Sequence, residues 1–346
     1  MMVKYPSIIE NEEQLEELMS RPSPQTIEMF SRLDGDIMFL GVSGKIGPSM
    51  ARMAKRACEE AGVKKQIYGA ALFESEQHRQ KIESLGIKTF HGNLLESEFI
   101  KSLPQAKNVY FLAGMKFGSL DNLSLTWAVN SYMPALVVEH YKNSSISAFS
   151  TGCVYALVPV SKGGSTEADM PEPVGEYAQS CLGRERMFEY GSIKNKTKVN
   201  LIRLNYSVEL RYGVLVDIAV KVKNDKPVDL TMGFFNVIWQ GDVNDMVLRS
   251  IEHAKSPAMV TNITGPETLS VRDVALEFGN LFGKNPVLTG KEAETALLSN
   301  STLAYNTLGH PQVPIGQVIK WIAAWIEQDH QLLGKPTHFE VRDGKY

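Results

Sequence analysis

Three glycines spaced three residues apart, Gly41, Gly44 and Gly47, constrain this chain more than any other feature. They follow the apolar run Ile37–Leu40, which is typical of a short buried strand, and they open a helical pattern that continues to about Ala61. A strand-to-helix turn of this kind presents backbone N–H groups and the positive end of a helix, which suits a pyrophosphate. Packing alone can also require three glycines, so the flanking strand and helix carry the prediction of a dinucleotide site.

The composition is that of an ordinary globular protein and excludes several classes of function. Apolar residues make up 43% of the 346 residues, charged residues make up 22%, and the net charge is −3. Nothing here predicts binding to nucleic acid or to a membrane, and the N-terminus lacks the pattern of a signal peptide. Three widely spaced cysteines predict reduced thiols and a cytoplasmic location, and the seven histidines show no metal-ligand spacing, so no metal is expected.

Short apolar strands alternate with helices through the first 204 residues. After the first strand and helix, strands are predicted at 66–71, 87–91, 108–113, 146–150 and 199–204. The helices between them are predicted at 74–85, 123–141 and 177–190. This alternation predicts an α/β fold with a Rossmann-type, doubly wound parallel sheet whose ligands lie beyond the carboxyl ends of the strands.

The sequence divides into three predicted parts. Residues 1–34 form an N-terminal helical extension that either packs on the outside of a domain or serves a subunit contact. The dinucleotide-binding domain comprises residues 35–204 and 237–264. A smaller C-terminal lobe, residues 205–236 and 265–346, is expected to cover the cofactor and bind the substrate.

Further motifs follow the glycine turn in a fixed order. They are Phe-Leu-Ala-Gly-Met-Lys at 111–116, Asn130 in the long helix, Phe-Ser-Thr-Gly-Cys-Val-Tyr at 149–155, and Tyr177 at the start of the next helix. With the glycine spacing, these motifs resemble the extended short-chain dehydrogenase/reductase superfamily, of the NAD-dependent epimerase/dehydratase type. The resemblance runs from about Asp36 to Ala254.

The resemblance implies catalytic roles for Tyr177, as acid and base, and for Thr151, which binds the same substrate oxygen. The family's lysine, four residues after the tyrosine, is Cys181 here. Lowering a tyrosine pKa from about 10 to about 7 needs roughly 4 kcal/mol, and a neutral thiol supplies almost none of it. Lys116 is the nearest substitute if its side chain turns inward. Cys181 is either a reactive nucleophile or a small buried helix residue.

The resemblance also implies a set of cofactor-binding residues. They are Gly41, Gly44, Lys45, Ile46, Gly47, Ala71, Asn93, Leu94, Ala113, Gly114, Lys116, Asn130, Tyr177 and Asn205. Relatives of the epimerase type usually use NAD, so NAD is the predicted cofactor. NADP stays open, because Ala71 stands where a carboxylate would select the ribose diol. Lys45 and Arg79 are possible phosphate partners, or else solvated surface residues.

The function predicted from these residues is oxidation or epimerisation at a hydroxyl of a sugar or sugar acid. The alternative is a dinucleotide-binding protein with weak or no catalysis, such as a sensor or an assembly subunit, in which Thr151 and Tyr177 only line the cofactor pocket. Arg211 either pairs with a substrate carboxylate or phosphate or forms an ion pair between lobes. A homodimer is expected by analogy with related proteins.

Overall fold

The computed structural model describes residues 5–116 and 118–345 and has one large sheet at its centre. Its seven parallel strands are β1 (Ile37–Leu40), β2 (Ile67–Ala71), β3 (Lys88–His91), β4 (Asn108–Phe111), β5 (Ser145–Thr151), β6 (Lys198–Leu204) and β7 (Met259–Ile263). Their order across the sheet is β7-β6-β5-β4-β1-β2-β3, so the winding direction reverses between β1 and β4. The predicted doubly wound sheet is therefore confirmed, and its reversal point lies beside the glycine turn.

Helices pack around the sheet, and further helices form much of the chain after residue 204. They are α1 (Glu12–Met19), α2 (Pro24–Arg32), α3 (Gly47–Glu60), α4 (Glu76–Glu83), α5 (Ser97–Ser102), α6 (Leu123–Trp127), α7 (Met133–His140), α8 (Gly175–Asn195), α9 (Val214–Lys223), α10 (Gln240–Ser250), α11 (Val271–Phe282), α12 (Thr302–Leu308) and α13 (Ile315–Glu327). Two-residue strands pair Val158–Pro159 with Thr295–Ala296, Ser207–Val208 with Ile238–Trp239, Val228–Asp229 with Leu288–Thr289, and Phe234–Phe235 with Leu269–Ser270. In the described part of the chain, no helix has the length and apolar character needed to cross a bilayer.

Helix α3 forms as its sequence pattern predicts. Pro48 occupies its first turn, where a missing N–H costs nothing. Met50, Met53 and Ala57 lie on one face and are buried against the sheet. The helix ends before Gly62, which adopts a φ of +67°. The chain therefore leaves β1, turns through the glycines and packs back on the sheet.

The helix predicted at 123–141 is one structural unit with a local irregularity. Between α6 and α7, residues Ala128–Tyr132 form a π-helical turn. Pro134 has no N–H to donate to the carbonyl of Asn130, four residues earlier, and its ring would crowd that carbonyl. Widening the turn removes the conflict, and it places the Asn130 side chain on the inner side of the helix, where it is fully buried.

A second hydrophobic core forms beyond the sheet. It contains Trp239, Trp321 and Trp325, all buried, together with Leu15 and Met19 of α1. The extension is tied down by hydrogen bonds from α3 and α10, since the Arg56 guanidinium donates to the Glu17 carbonyl and the Asn244 amide donates to the Met19 carbonyl. The N-terminal extension therefore packs against α3, α10 and the second core.

Candidate functional site

The turn after β1 needs glycine at two of its three predicted positions. Gly41 has a φ of +88°, and a Cβ there would lie 2.6 Å from the backbone nitrogen of Ala113. A Cβ on Gly47 would lie 2.2 Å from the carbonyl oxygen of Val42. Gly44 is exposed, and a Cβ there would meet only the carbonyl oxygen of Gly41, at 3.4 Å. The close approach of β1, α3 and the segment after β4 therefore depends on Gly41 and Gly47.

A cleft of about 740 Å³ opens at this turn. Its volume is in the range of small-molecule and cofactor sites. Eight predicted site residues line it together, namely Gly41, Gly44, Lys45, Ile46, Gly47, Gly114, Lys116 and Tyr177. Phe149 and Ser150, at the end of β5, form part of its floor. The glycine turn and the start of α8 therefore face one shared cavity.

Lys45 points its ammonium group into this cleft and not toward bulk solvent. Its Nζ is buried and has no hydrogen-bond partner among residues 5–116 and 118–345, and it lies 4.0 Å from the centroid of the Tyr212 ring. Burial lowers the pKa of Lys45 to about 7, although the nearby Glu209 carboxylate acts in the opposite direction. An anion bound at the glycine turn would complete the partners of this ammonium. The alternative of a solvated surface lysine is wrong for Lys45.

Lys116 extends from the segment after β4 toward the C-terminal tail. Its Nζ donates to the carbonyl oxygen of Thr337, at 3.3 Å. The Thr337 N–H and hydroxyl both donate to the Asp217 carboxylate, so this part of the tail is fixed on α9. Burial lowers the pKa of Lys116, partly offset by Cys153, Asp217 and Cys181. Lys116 therefore adds positive charge to the part of the cleft where the tail crosses it.

Tyr177 and Thr151 meet where α8 begins and β5 ends. Their side chains are hydrogen-bonded, and the Tyr177 hydroxyl is also bonded to the Cys181 thiol. Burial is the main reason that the pKa of Tyr177 lies well above its usual value, and the thiols of Cys181 and Cys153 raise it further. The Tyr177 hydroxyl is therefore neutral in the protein without ligands.

Cys181 is fully buried inside α8. Burial raises the pKa of its thiol to about 11, so the thiol is protonated at neutral pH. A protonated, inaccessible thiol is a poor nucleophile, which favours the alternative of a small buried helix residue.

Two buried residues behind Tyr177 hold the wall of the cleft in place. The Asn130 amide bonds both the N–H and the carbonyl of Met115, at 2.9 Å each, and it also donates to the Ser180 hydroxyl. Asn130 therefore fixes the segment after β4, which lines part of the cleft. Its Oδ1 also accepts from the guanidinium of Arg184, which lines the cleft. Sequence reasoning missed Arg184, although its spacing of seven residues from Tyr177 places both on one face of α8.

The predicted residues Ala71, Asn93 and Leu94 lie at or just after the ends of β2 and β3 and are not among the residues that line the cleft. Ala71 ends β2 and is buried, while the next residue, Leu72, is 61% exposed. The side-chain Oδ1 of Asn93 accepts from the Leu95 N–H and fixes the turn after β3, and Leu94 is buried in the core. Position 71 itself therefore presents no carboxylate that would select a ribose diol.

Asn205 lies at the end of β6 and is buried. Its amide group donates to the Leu297 carbonyl, at 3.5 Å, and a Cβ on Gly152 would lie 3.0 Å from the Cβ of Asn205. The next residue, Tyr206, adopts a φ of +47°, which is uncommon outside glycine. The chain therefore turns sharply where the second core begins.

Two arginines that were possible anion ligands are paired with protein groups. Arg211 forms ion pairs with Glu12, Glu16 and Glu209, which joins α1 to the loop before α9. This outcome agrees with the ion-pair alternative. Arg79 bonds the Glu83 carboxylate, in agreement with a surface role.

Of the comparisons with known proteins, only the one with solved structures found similar proteins. No protein-family model matches the sequence, and no curated protein matches it significantly. UDP-glucuronic acid 4-epimerase from Bacillus cereus, in complex with NAD, superposes with a TM-score of 0.70 and 17% identity, covering 86% of this chain and 100% of its own. UDP-glucose 4-epimerase from Thermotoga maritima, with UDP-glucose, superposes with a TM-score of 0.68 at 16% identity. The match covers 85% of this chain and 99% of the epimerase chain.

A third similar structure is DesIV, a dTDP-glucose 4,6-dehydratase from Streptomyces venezuelae with NAD and TYD bound. It gives a TM-score of 0.70 at 13% identity and covers 85% of this chain and 97% of its own. The chain thus has the fold of NAD-dependent sugar epimerases and dehydratases, as the motif resemblance implied. These structures are matched almost completely, whereas about 15% of this chain is left over.

Proposed function

We propose that this protein binds NAD and uses it to oxidise a hydroxyl group of a sugar or sugar acid. One observation carries the proposal: the glycine turn, the buried Lys45 ammonium and Tyr177, which interacts with Thr151, come together at one cleft. The oxidised carbon is then either released as a ketone or reduced again after an epimerisation or elimination. Several solved structures with this fold contain NAD.

The residues of the cleft fit a nicotinamide dinucleotide. The narrow approach at Gly41 and Gly47 leaves the N-terminal end of α3 open to a pyrophosphate. Lys45 supplies an ammonium that lacks a hydrogen-bond partner in the described residues. When bound, the nicotinamide supplies the hydride acceptor.

Tyr177 and Thr151 are proposed to handle the substrate hydroxyl. The phenolate of Tyr177 takes the hydroxyl proton as the carbon–hydrogen bond breaks, and Thr151 donates a hydrogen bond to the same oxygen. Because burial keeps Tyr177 neutral without ligands, this step needs positive charge near the phenol.

The C-terminal tail crosses the cleft and limits the space at the end where we propose that the substrate binds. Leu333 and Lys335 line the cleft, and Phe339 is buried against Phe235. The solved structures with this fold include complexes with sugar nucleotides, and we extend only the sugar part of that chemistry to this chain. Lys116 suits a carboxylate or phosphate on such a sugar.

A turnover assay tests the proposal. The purified protein is mixed with NAD or NADP and a panel of free sugars, sugar acids and nucleotide sugars, and absorbance of the reduced nicotinamide is followed, with chromatography to detect epimers. Turnover of any member supports the proposal. Cofactor binding without any product overturns it in favour of the second candidate, a dinucleotide-binding sensor or assembly subunit, which the neutral Cys181 favours.

Dinucleotide binding is expected to weaken as the pH rises above 7. The Lys45 pKa is about 7 without ligand, and a bound pyrophosphate favours the charged form. Below pH 7 the ammonium is already charged; above it, binding must take up a proton, and affinity falls by up to about tenfold per pH unit. Calorimetry at pH 6 to 9 measures this.

The matched variant is Lys45→Met. It should bind the dinucleotide more weakly than the parent at pH 6, and its affinity should depend little on pH. Lys101→Met, on an exposed helix, is the control and should behave like the parent. An unchanged pH dependence in Lys45→Met would assign it to another group.

We also propose that the protein forms a homodimer through the outer face of α7 and α8. Tyr190 and Ile193 of α8 are 63% and 56% exposed there, and the adjacent π-helical turn exposes Tyr132. A groove of about 580 Å³ lies beside them. Exposed large apolar side chains on adjacent helices are typical of an interaction surface.

The dimer is tested by the double substitution Tyr190→Asp and Ile193→Asp, followed by sedimentation. The variant should be monomeric at concentrations where the parent is dimeric. Met170→Asp, which changes an exposed side chain elsewhere, should stay dimeric. A monomeric parent would contradict the proposal directly.

The division into a dinucleotide-binding domain (35–204 and 237–264) and a substrate lobe (205–236 and 265–346) is kept as a proposal. The cytoplasmic location is also proposed, because all three cysteines are unpaired and buried.

A further inference from the structure

The proposed reaction requires a positive charge that position 181 does not provide. Tyr177 is bonded to the thiol of Cys181 and lies near the thiol of Cys153, and neither side chain carries a positive charge. Burial disfavours the phenolate, and interaction with the two cysteines raises the pKa of Tyr177 further. A cation from another position is therefore needed if Tyr177 is to act as a base.

Arg184 is placed to be that cation. It follows Tyr177 by seven residues, and seven residues fall only about 20° short of two helical turns, so the two side chains share a face of α8. Side chains of helices point toward the N-terminus, which directs the Arg184 guanidinium back toward Tyr177. The guanidinium also lines the cleft at the end of β5.

The contacts of Arg184 hold its charge without neutralising it. Nη1 donates to the backbone carbonyl of Phe149 at 2.8 Å, and Nη2 donates to the side-chain Oδ1 of Asn130 at 2.6 Å. Nε has no partner in the part of the chain that the structure describes. The adjacent carboxylate of Glu185 is bound by Arg203 instead.

A buried guanidinium whose hydrogen-bond acceptors are neutral is costly. Arg184 is only 5% exposed, and removing an unpaired charge from water costs several kcal/mol. Such a cost is typically retained where the charge has a function.

The surroundings are shaped for the guanidinium. It lies 5.7 Å from the centroid of the Phe111 ring, within reach of a cation–π contact. A Cβ on Gly114 would be 2.5 Å from Nη2, so glycine at this position leaves the space that the guanidinium fills.

We propose that Arg184 takes the place of the absent lysine and that its guanidinium stabilises the phenolate of Tyr177. Arg184 lies about one helical turn beyond position 181, where the family has its lysine. This inference rests on the proposed function. Arg184 acts through Tyr177 and is therefore a positioning residue. In agreement with this geometry, its positive charge lowers the pKa of both Tyr177 and Cys181, although burial outweighs it in the protein without ligands.

Titration of Tyr177 itself tests the inference without substrate. The full-length protein is labelled with 3-fluorotyrosine, whose phenol ionises at a lower pH than that of tyrosine. The ¹⁹F resonance of Tyr177 is assigned by its loss in Tyr177→Phe. Its titration midpoint is then compared among the parent, Arg184→Gln, Arg184→Lys and the double variant Cys181→Lys with Arg184→Gln, with and without NAD.

The midpoint is expected to rise by about one pH unit or more in Arg184→Gln, which corresponds to at least a tenfold loss of phenolate. Arg184→Lys should shift it much less. The double variant, which moves the charge back to position 181, should return the midpoint toward that of the parent.

An unchanged midpoint in a folded Arg184→Gln protein would overturn the inference, as would equal shifts in the lysine and glutamine variants. Thermal unfolding shows which variants are folded. The double variant keeps one buried cation, so it stays informative if Arg184→Gln alone unfolds, and a midpoint above that of the parent there would also overturn the inference. A charge-dependent midpoint together with no turnover of any sugar would overturn the proposed function and leave this inference standing.

Discussion

Replacing Tyr177 by phenylalanine is expected to lower turnover by about 10³-fold, with little change in NAD affinity. The substitution removes one hydroxyl from the end of the cleft, where it is bonded to Thr151 and Cys181. Loss of a positioned acid–base group typically costs 10² to 10⁴-fold in rate. The measurement is steady-state turnover of the substrate found in the panel, together with calorimetry of NAD binding.

The same chemical change at another site on α8 provides the control. Tyr190 is 63% exposed on the outer face of that helix. Tyr190→Phe should therefore retain the parent rate. If Tyr177→Phe also retained it, the proton would have to be taken by another group, and the assignment of Tyr177 would be wrong.

Local patterns predicted most of the sheet. The strand before the glycine turn and the helix after it appear where the sequence placed them, because apolar runs and helical spacing are read from neighbouring residues. The strand β7 (Met259–Ile263) and the short helices α5 and α12 were not predicted. β7 lies at the edge of the sheet and is only partly buried at its start. Its sequence therefore shows only a weak pattern of apolar residues.

The wall of the cleft was predictable in outline from topology. Gly41, Lys116 and Tyr177 are far apart in sequence, but each lies in a segment that follows a strand. Because the strands are parallel, these segments meet at the same edge of the sheet. The electrostatics were not predictable, because burial of a charge depends on distant residues. Arg184 is buried through partners 35 and 54 residues away, and Lys45 is buried under Tyr212.

The second large effect is expected on stability, from the pair of Glu185 and Arg203. Glu185 is fully buried, and its carboxylate accepts from Arg203 Nε at 2.9 Å and Nη2 at 2.7 Å, and from the Ser150 hydroxyl at 2.6 Å. Arg203 Nη1 donates to the Tyr155 hydroxyl. The pair therefore joins α8, β5 and β6 directly behind the site.

Glu185→Leu is expected to lower the free energy of unfolding by about 3–5 kcal/mol, because it leaves the Arg203 guanidinium buried without a counter-charge. Glu185→Leu combined with Arg203→Met removes both charges and should recover most of that loss, since a buried ion pair is often replaced by apolar groups at little cost. Urea unfolding followed by circular dichroism measures both variants.

The exposed pair of Lys101 and Glu98 supplies the matched control, and Glu98→Gln there should leave unfolding unchanged. A single variant at Glu185 that unfolds like the parent, or a double variant no more stable than the single one, would show that the pair is not the main tie between these elements. Because Ser150 precedes Thr151, the single variant also loosens the hydroxyl that holds Tyr177. Its NAD affinity should therefore be measured well below its unfolding temperature, where any remaining loss reports on the site and not on the fold.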